Sequence, residues 1–257
     1  MSQLPIVGGT AVPMPKRQKL GRTFPVMEVF GPTIQGEGVL AGTPTYFVRL
    51  GGCDYRCSWC DSMHAVLPEE VREHAERLTH HEIVGRIRAL PPGPEWVTLS
   101  GGNPALLKLD PLVDGLQGLG IRVAVETQGS RWRDWLGTVN CLTISPKPPS
   151  SGMADKVAKD LEPFMYAASL ARPRRHADAL KIVVFDDEDL EFAASVFATF
   201  PTWPRYLSCG TVIDEPLSAL SDRYRWLLER VANDARFKQA RAFPQLHVMA
   251  WGHVKGV

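Results

Sequence analysis

The chain has 257 residues, with 29 Lys+Arg against 28 Asp+Glu and a hydrophobic fraction of 44%. That length makes one large domain or two small ones, long enough to bury a full core. A net charge of +1 with no long basic run excludes a binder that grips nucleic acid through phosphate contacts, and no apolar run approaches the ~20 residues of a membrane span.

Residues 1–24 are rich in Pro and Gly around a basic knot, Lys16-Arg17-Gln18-Lys19, and read as a solvated arm. They carry no signal-peptide apolar region, so a cytoplasmic protein is expected. Residues 25–257 then form the single folded domain. Strand patterns fall at 45–50, 96–99, 122–126, 142–145, 180–185 and 245–250, short and rich in β-branched residues. Helical patterns fall between them at 80–90, 110–119, 155–168, 189–199 and 217–237, with Asp155 and Asp189 as starts and Pro91-Pro92-Gly93 as a stop. Alternating strands and helices predict an α/β fold with a mostly parallel sheet, an open (partial) βα barrel.

Polar motifs sit at the ends of four of these strands. Cys53 follows the first, Gly101-Gly102 the second, Glu126-Thr127 close the third, and Ser145-Pro146-Lys147 end the fourth. Carboxyl ends of parallel strands converge on one face, so the four motifs describe one pocket.

Of the five cysteines, Cys53, Cys57 and Cys60 fall within eight residues in a C-x3-C-x2-C loop, while Cys141 and Cys209 stand alone. An odd count in this context is not a disulfide framework. Three crowded thiols favour zinc or an iron–sulfur cluster. Zinc needs four ligands, and His64 would complete a Cys3His site. A four-iron cluster held by three cysteines instead leaves one iron open for chemistry. Cys141, heading a β-branched run, reads as a buried inert thiol.

With Trp59 just before its third cysteine, this loop resembles that of the radical S-adenosylmethionine (SAM) superfamily, and SGGNPAL (residues 100–106) resembles its GGE segment, with Asn103 in place of Glu. Within the superfamily, FGPTIQGEGVLAGTPTYFVRLGGCDYRCSWCDS, ETQGS, SPKPP and the closing QLHVMAWG resemble the 7-carboxy-7-deazaguanine synthases, compact enzymes with a single cluster. The resemblance covers the chain from about Phe30 onward.

That resemblance implies a carbon–nitrogen lyase that contracts the ring of 6-carboxy-5,6,7,8-tetrahydropterin, releasing ammonia, on the route to queuosine. It implies a [4Fe–4S] cluster on Cys53, Cys57 and Cys60. SAM would lie among Trp59, Cys60, Asp61, Gly102, Asn103, Glu126, Ser145, Pro146 and Lys147. Ile34, Gln35, Gly36, Arg49 and Ser100 would meet the pterin, and Ser62 would bind Mg2+. The adenosyl radical itself would abstract hydrogen, so no protein acid or base is required. A flavodoxin- or ferredoxin-type electron donor and a homodimer are implied; nucleic-acid and membrane partners are not. Several residues keep a second reading: Arg49 and Glu126 as ion-pairing groups, Trp59 as packing, and His247 as a core histidine. Another small radical SAM enzyme, or a zinc-stabilised binding module using His64, stands as the alternative.

Overall fold

The computed structural model describes residues 21–173, 177–254 and 256. Of the expected arm, residues 1–20 lie outside the described residues, whereas Thr23 and Phe24 already belong to a strand. This is β1 (Thr23–Ile34), which pairs antiparallel with β2 (Pro44–Leu50) and with the short β3 (Glu76–Thr79). From β2 onward every pairing is parallel, through β4 (Trp96–Gly101), β5 (Arg122–Thr127), β6 (Cys141–Ile144), β7 (Ala179–Val184), β8 (Arg205–Cys209) and β9 (Ala240–Phe243). The sheet runs β3-β1-β2-β4-β5-β6-β7-β8-β9 and does not close on itself. It is the mostly parallel, open βα barrel that the alternating pattern predicts.

Helices α1 (Pro68–His74), α2 (His80–Ala89), α3 (Asp110–Gln117), α4 (Ala154–Ala171), α5 (Asp187–Thr199) and α6 (Leu217–Asn233) link the strands. Their limits follow local chemistry. A capping box between Thr79 and Glu82 opens α2. Asp186 caps α5 by accepting from the Asp189 amide at 2.9 Å, which moves its start ahead of the expected Asp189. The pattern over 217–237 splits into α6 and a separate 3-10 turn, Ala235–Phe237, capped by Asp234. The expected strand at 245–250 is instead a helix, α7 (Leu246–Trp251). Its apolar residues alternate as a strand's would, but Ala240–Phe243 already occupies the sheet edge, and only Val248 is buried.

Two packed regions result. The outer core sets α2 to α6 against the back of the sheet, with Leu99, Leu112, Leu142, Phe164 and Phe197 essentially sequestered. Each such side chain stabilises the fold by roughly 1.5–3 kcal/mol. A smaller cluster, Trp96, Ala124 and Cys141 with Val39 and Leu40, fills the sheet's inner face. Because β1 is antiparallel, Ile34 pairs with Pro44, at the amino end of the parallel strands. The chain therefore enters the barrel from the end opposite the cysteine loop, and the 3-10 turn Gly38–Leu40 plugs it. Among the described residues, no helix is long and apolar enough to cross a membrane.

Candidate active site

Above the plug lies a cavity of about 370 Å³, reaching up to the carboxyl ends of β2, β4, β5 and β6. All four strand-end motifs contribute to it. The cysteines Cys53, Cys57 and Cys60 line it together with Trp59, Asp61 and Ser62. So do Ser100, Gly102, Glu126, Ser145 and Lys147, and, from the β1 side, Ile34, Gln35, Gly36 and Arg49. Of the residues singled out in the sequence, Asn103 and Pro146 are buried and do not line it.

The cysteine loop is held from several sides. Lys156 donates to the Asp54 carbonyl at 2.5 Å, the Arg56 guanidinium to the Cys53 and Tyr55 carbonyls at 2.7 Å, and the Tyr55 hydroxyl to Asp160 at 3.0 Å. The Tyr55 amide and Gln128 Nε2 point at the Cys53 sulfur, at 3.4 and 3.6 Å. Burial pushes all three thiols up, Cys60 to about 11, while the Lys147 ammonium draws each of them back. Among the described residues, no three His, Cys, Asp or Glu side chains converge where a single ion would sit. His64 lies with Nε2 3.9 Å from Glu28 Oε1, and among the described residues it does not join the three cysteines in a group of that kind. Cys141 and Cys209 are buried apart from this loop, and burial raises the Cys141 thiol to about 12.

Trp59 is fixed from behind. Its indole donates to Ser150 Oγ at 3.0 Å, and Ser150 donates in turn to the buried Asp189 carboxylate at 2.7 Å. Phe185 packs against the ring with centroids 5.4 Å apart, and the Lys147 ammonium sits 5.8 Å from its centre.

The glycine turn does more than reverse the chain. Gly101 has φ +115°, and a Cβ there would strike the backbone of Leu50. A Cβ on Gly102 would strike the backbone of Gly52 and Ala65, at the base of the cysteine loop. Only glycine permits this approach, which the Asn103 amide seals by donating to the Gly52 carbonyl at 2.7 Å. The Asn103 side chain is fully engaged. Its oxygen accepts from the Thr127 hydroxyl and the Ala105 amide, and its nitrogen donates to Asp54 and Ser130.

The deeper wall holds the charged groups. Gln35 Nε2 donates to Glu126 Oε1 at 3.1 Å, and its oxygen accepts from the Glu37 amide at 3.2 Å. Arg49 pairs with Glu28 at 2.8 Å through Nε and donates to Ser62 Oγ at 2.9 Å through Nη1; Ser62 donates to Asp61 at 2.9 Å. Arg49 thus pairs with a carboxylate and faces the cavity at once. His247 is half-buried and lines the cavity, its ring set against Gly36, where a side chain on residue 36 would collide with it; it is not a core histidine.

The pattern reading missed a buried pair. Lys181 Nζ lies 2.6 Å from Glu37 Oε2, and Ser208 donates to Glu37 Oε1 at 2.7 Å. Burial alone would raise the Glu37 carboxyl, but the charges of Lys181 and His247 and the hydrogen bonds from Lys181 and Ser208 hold it near 2. Burial works against the Lys181 ammonium, and Glu37 outweighs it, so its pKa rises. Both groups stay ionised. A lysine inside the apolar run Leu180–Val184 was the signal available.

An open, mostly parallel barrel carrying a three-cysteine loop, a glycine turn and SPK at its strand ends defines a radical SAM enzyme. No protein-family model matches the chain. It is 43% identical over 246 residues to the 7-carboxy-7-deazaguanine synthase of Bacillus subtilis, covering 93% of this chain and 100% of that one. It is 41% identical over 245 residues to that of Bacillus cereus, covering 91% and 99%. Among solved structures, QueE from Escherichia coli superposes with a TM-score of 0.63 at 22% identity, covering 88% of this chain and 95% of that one. The chain belongs to the 7-carboxy-7-deazaguanine synthase family.

Proposed function

We infer that the chain is a carbon–nitrogen lyase converting 6-carboxy-5,6,7,8-tetrahydropterin to 7-carboxy-7-deazaguanine, with release of ammonia, in queuosine biosynthesis. The observation that carries this reading is one cavity receiving the cysteine loop from above and Gln35 and Arg49 from the side, in a chain that matches synthases of that name over more than nine-tenths of its length. Three thiols lining one cavity, with amide donors aimed at the Cys53 sulfur, suit a [4Fe–4S] cluster on Cys53, Cys57 and Cys60 that leaves one iron open. A cluster held by Cys53, Cys57 and Cys60, once reduced by an electron donor, would supply with SAM the one-electron cleavage that gives methionine and a hydrogen-abstracting 5′-deoxyadenosyl radical.

The protein's own residues do the rest. Trp59, braced by Ser150 and Asp189, offers a fixed aromatic face for the adenosyl group, and Lys147, Ser145, Gly102 and Asp61 border the same space. Asn103 supports this wall from behind by holding Thr127 and Asp54, and Pro146 is buried between Ser145 and Lys147. Gln35 presents an amide suited to the donor–acceptor edge of a pterin, and Arg49 a guanidinium fork for its carboxylate. Ile34, Gly36 and Ser100 complete the walls beside the pterin, and Glu126 orients Gln35. Asp61 and Ser62 set two hard oxygens side by side, the ligand type Mg2+ takes. Arg49 donates to the Ser62 oxygen at 2.9 Å, which places its guanidinium beside the oxygens that would hold the ion. A flavodoxin- or ferredoxin-type donor, a homodimeric assembly and a cytoplasmic setting belong to the same reading.

The test is EPR of anaerobically reconstituted, dithionite-reduced protein, with and without SAM, followed by assay of the carboxypterin for 7-carboxy-7-deazaguanine. A reduced-cluster signal whose g-values move on adding SAM, with product formed, supports the reading. One tightly bound zinc and no cluster signal overturns it. A SAM-sensitive cluster without product from the carboxypterin points to a different heterocycle.

A further inference from the structure

Lys181 projects from the middle of β7 into the barrel, and the carboxylate it meets lies on a segment 144 residues away, just past the end of β1. Glu37 is gripped there from both sides, by Lys181 from β7 and by Ser208 from β8. The same short segment carries Gln35, whose side-chain oxygen accepts from the Glu37 backbone amide and whose nitrogen reaches Glu126. The grip on Glu37 is therefore mechanically continuous with the amide that faces the cavity. We propose that Lys181 is a positioning residue for substrate: by clamping Glu37 it fixes segment 34–37 and so sets Gln35 for the donor–acceptor edge of a 2-amino-4-oxo heterocycle. This rests on the reading of Gln35 as a pterin contact.

The charges around the clamp make it distinguishable from ordinary packing. Lys181 and Ser208 bond to Glu37, the His247 imidazole from α7 stands close, and Glu126 from β5 and Asp61 from the cysteine loop face Lys181 across the cavity. With Lys181 in place Glu37 is ionised at any working pH. With Lys181 removed, burial favours the neutral acid. At low pH a protonated Glu37 still bonds Ser208 and the segment stays in place. As pH rises the carboxylate must ionise without its cation, and the segment is pushed out toward water.

The experiment titrates the fluorescent, non-turning-over probe 6-carboxypterin into cluster-loaded enzyme with SAM, from pH 5.5 to 8.5. Lys181→Arg is expected to bind within about threefold of wild type, since a cation is retained. Lys181→Met is expected to bind about tenfold or more weakly at pH 8, with its Kd ratio to wild type shrinking toward pH 5.5. Should Lys181→Met fail to fold, the neutral pair Glu37→Gln with Lys181→Met is the second variant, because neutral replacement of a buried ion pair generally keeps the fold. It should bind weakly with a pH-independent ratio. Wild-type affinity in Lys181→Met at every pH, or in the neutral pair, would overturn the proposal while leaving the pterin reading intact. Absence of saturable probe binding to wild type would overturn both.

Discussion

Replacing Gly102 by alanine tests whether the glycine turn and the cysteine loop are one packed unit. The added methyl would sit inside the backbone of Gly52 and against the Ala65 carbonyl, where ordinary contacts lie at 3.4–4 Å. None of these atoms belongs to a side chain that can swing away, so the two backbones must part by about 1 Å, an overpacking change that costs about 1–3 kcal/mol. That separation also breaks the 2.7 Å bond from the Asn103 amide to the Gly52 carbonyl, worth about 1 kcal/mol more. A total of about 2–4 kcal/mol corresponds to a fall in Tm of roughly 6–12 °C for a domain of this size. Thermal unfolding of cluster-free protein followed by far-UV circular dichroism measures it, with bound iron after reconstitution as the second reading. Gly85→Ala in α2 is the control. Its Cβ meets nothing within 4 Å, so it should be neutral or stabilise by roughly 0.5–1 kcal/mol. A Gly102→Ala protein with wild-type Tm and full iron loading would refute the argument.

Arg172→Ala should be more damaging, because it strands the buried Asp178 carboxylate, 2.6 Å away, and frees the Leu136 and Val139 carbonyls. A loss of about 3–5 kcal/mol in urea unfolding is expected. For the cluster-free protein, thiols raised by burial bind protons more tightly folded than unfolded. Stability should be fully present below about pH 9 and decline as pH rises toward the values near 11 and 12 of Cys60 and Cys141. Cys141→Ala should decline less steeply in pH-dependent denaturant titrations, and an identical slope would count against the assignment. Finally, Ser62→Ala should lower turnover in the presence of Mg2+ and blunt the response of Mg2+-depleted enzyme to added Mg2+, without changing bound iron; unchanged Mg2+ dependence would remove Ser62 from the metal site.

The parallel half of the sheet was legible because buried parallel strands such as Thr98-Leu99 and Val123-Ala124-Val125 are short, apolar and β-branched. The antiparallel opening was not. Pro25, Gly31 and Pro32 punctuate β1 as a loop would be punctuated, yet β1 spans twelve residues and pairs with strands on both sides. Strands β3, β8 and β9 went unread because charged and polar residues break them, Glu76 and Arg77, Arg205 and Ser208, and Arg241, so that no apolar run marks them. The residues that line the cavity around the cysteine loop could be singled out from the sequence because short local motifs mark them. The clamp between Glu37 and Lys181 could not, because the partners are far apart in sequence and only the fold brings them together. Asn103 shows the converse limit: its motif position was legible, but its amide is spent on Thr127, Ala105, Asp54 and Ser130.

The antiparallel course of β1 has a consequence for how such a site changes over time. The rim that carries the three cysteines is assembled from loops at one pole of the sheet, while segment 34–40 arrives from the other pole and closes the barrel from beneath. The two poles are written in separable stretches of sequence. Mutations in the plug can reshape the chamber and alter what rests on it while leaving the cysteine loop's supports at Tyr55, Lys156 and Ser150 untouched. A single cysteine-bearing rim can in this way be inherited intact above many different floors.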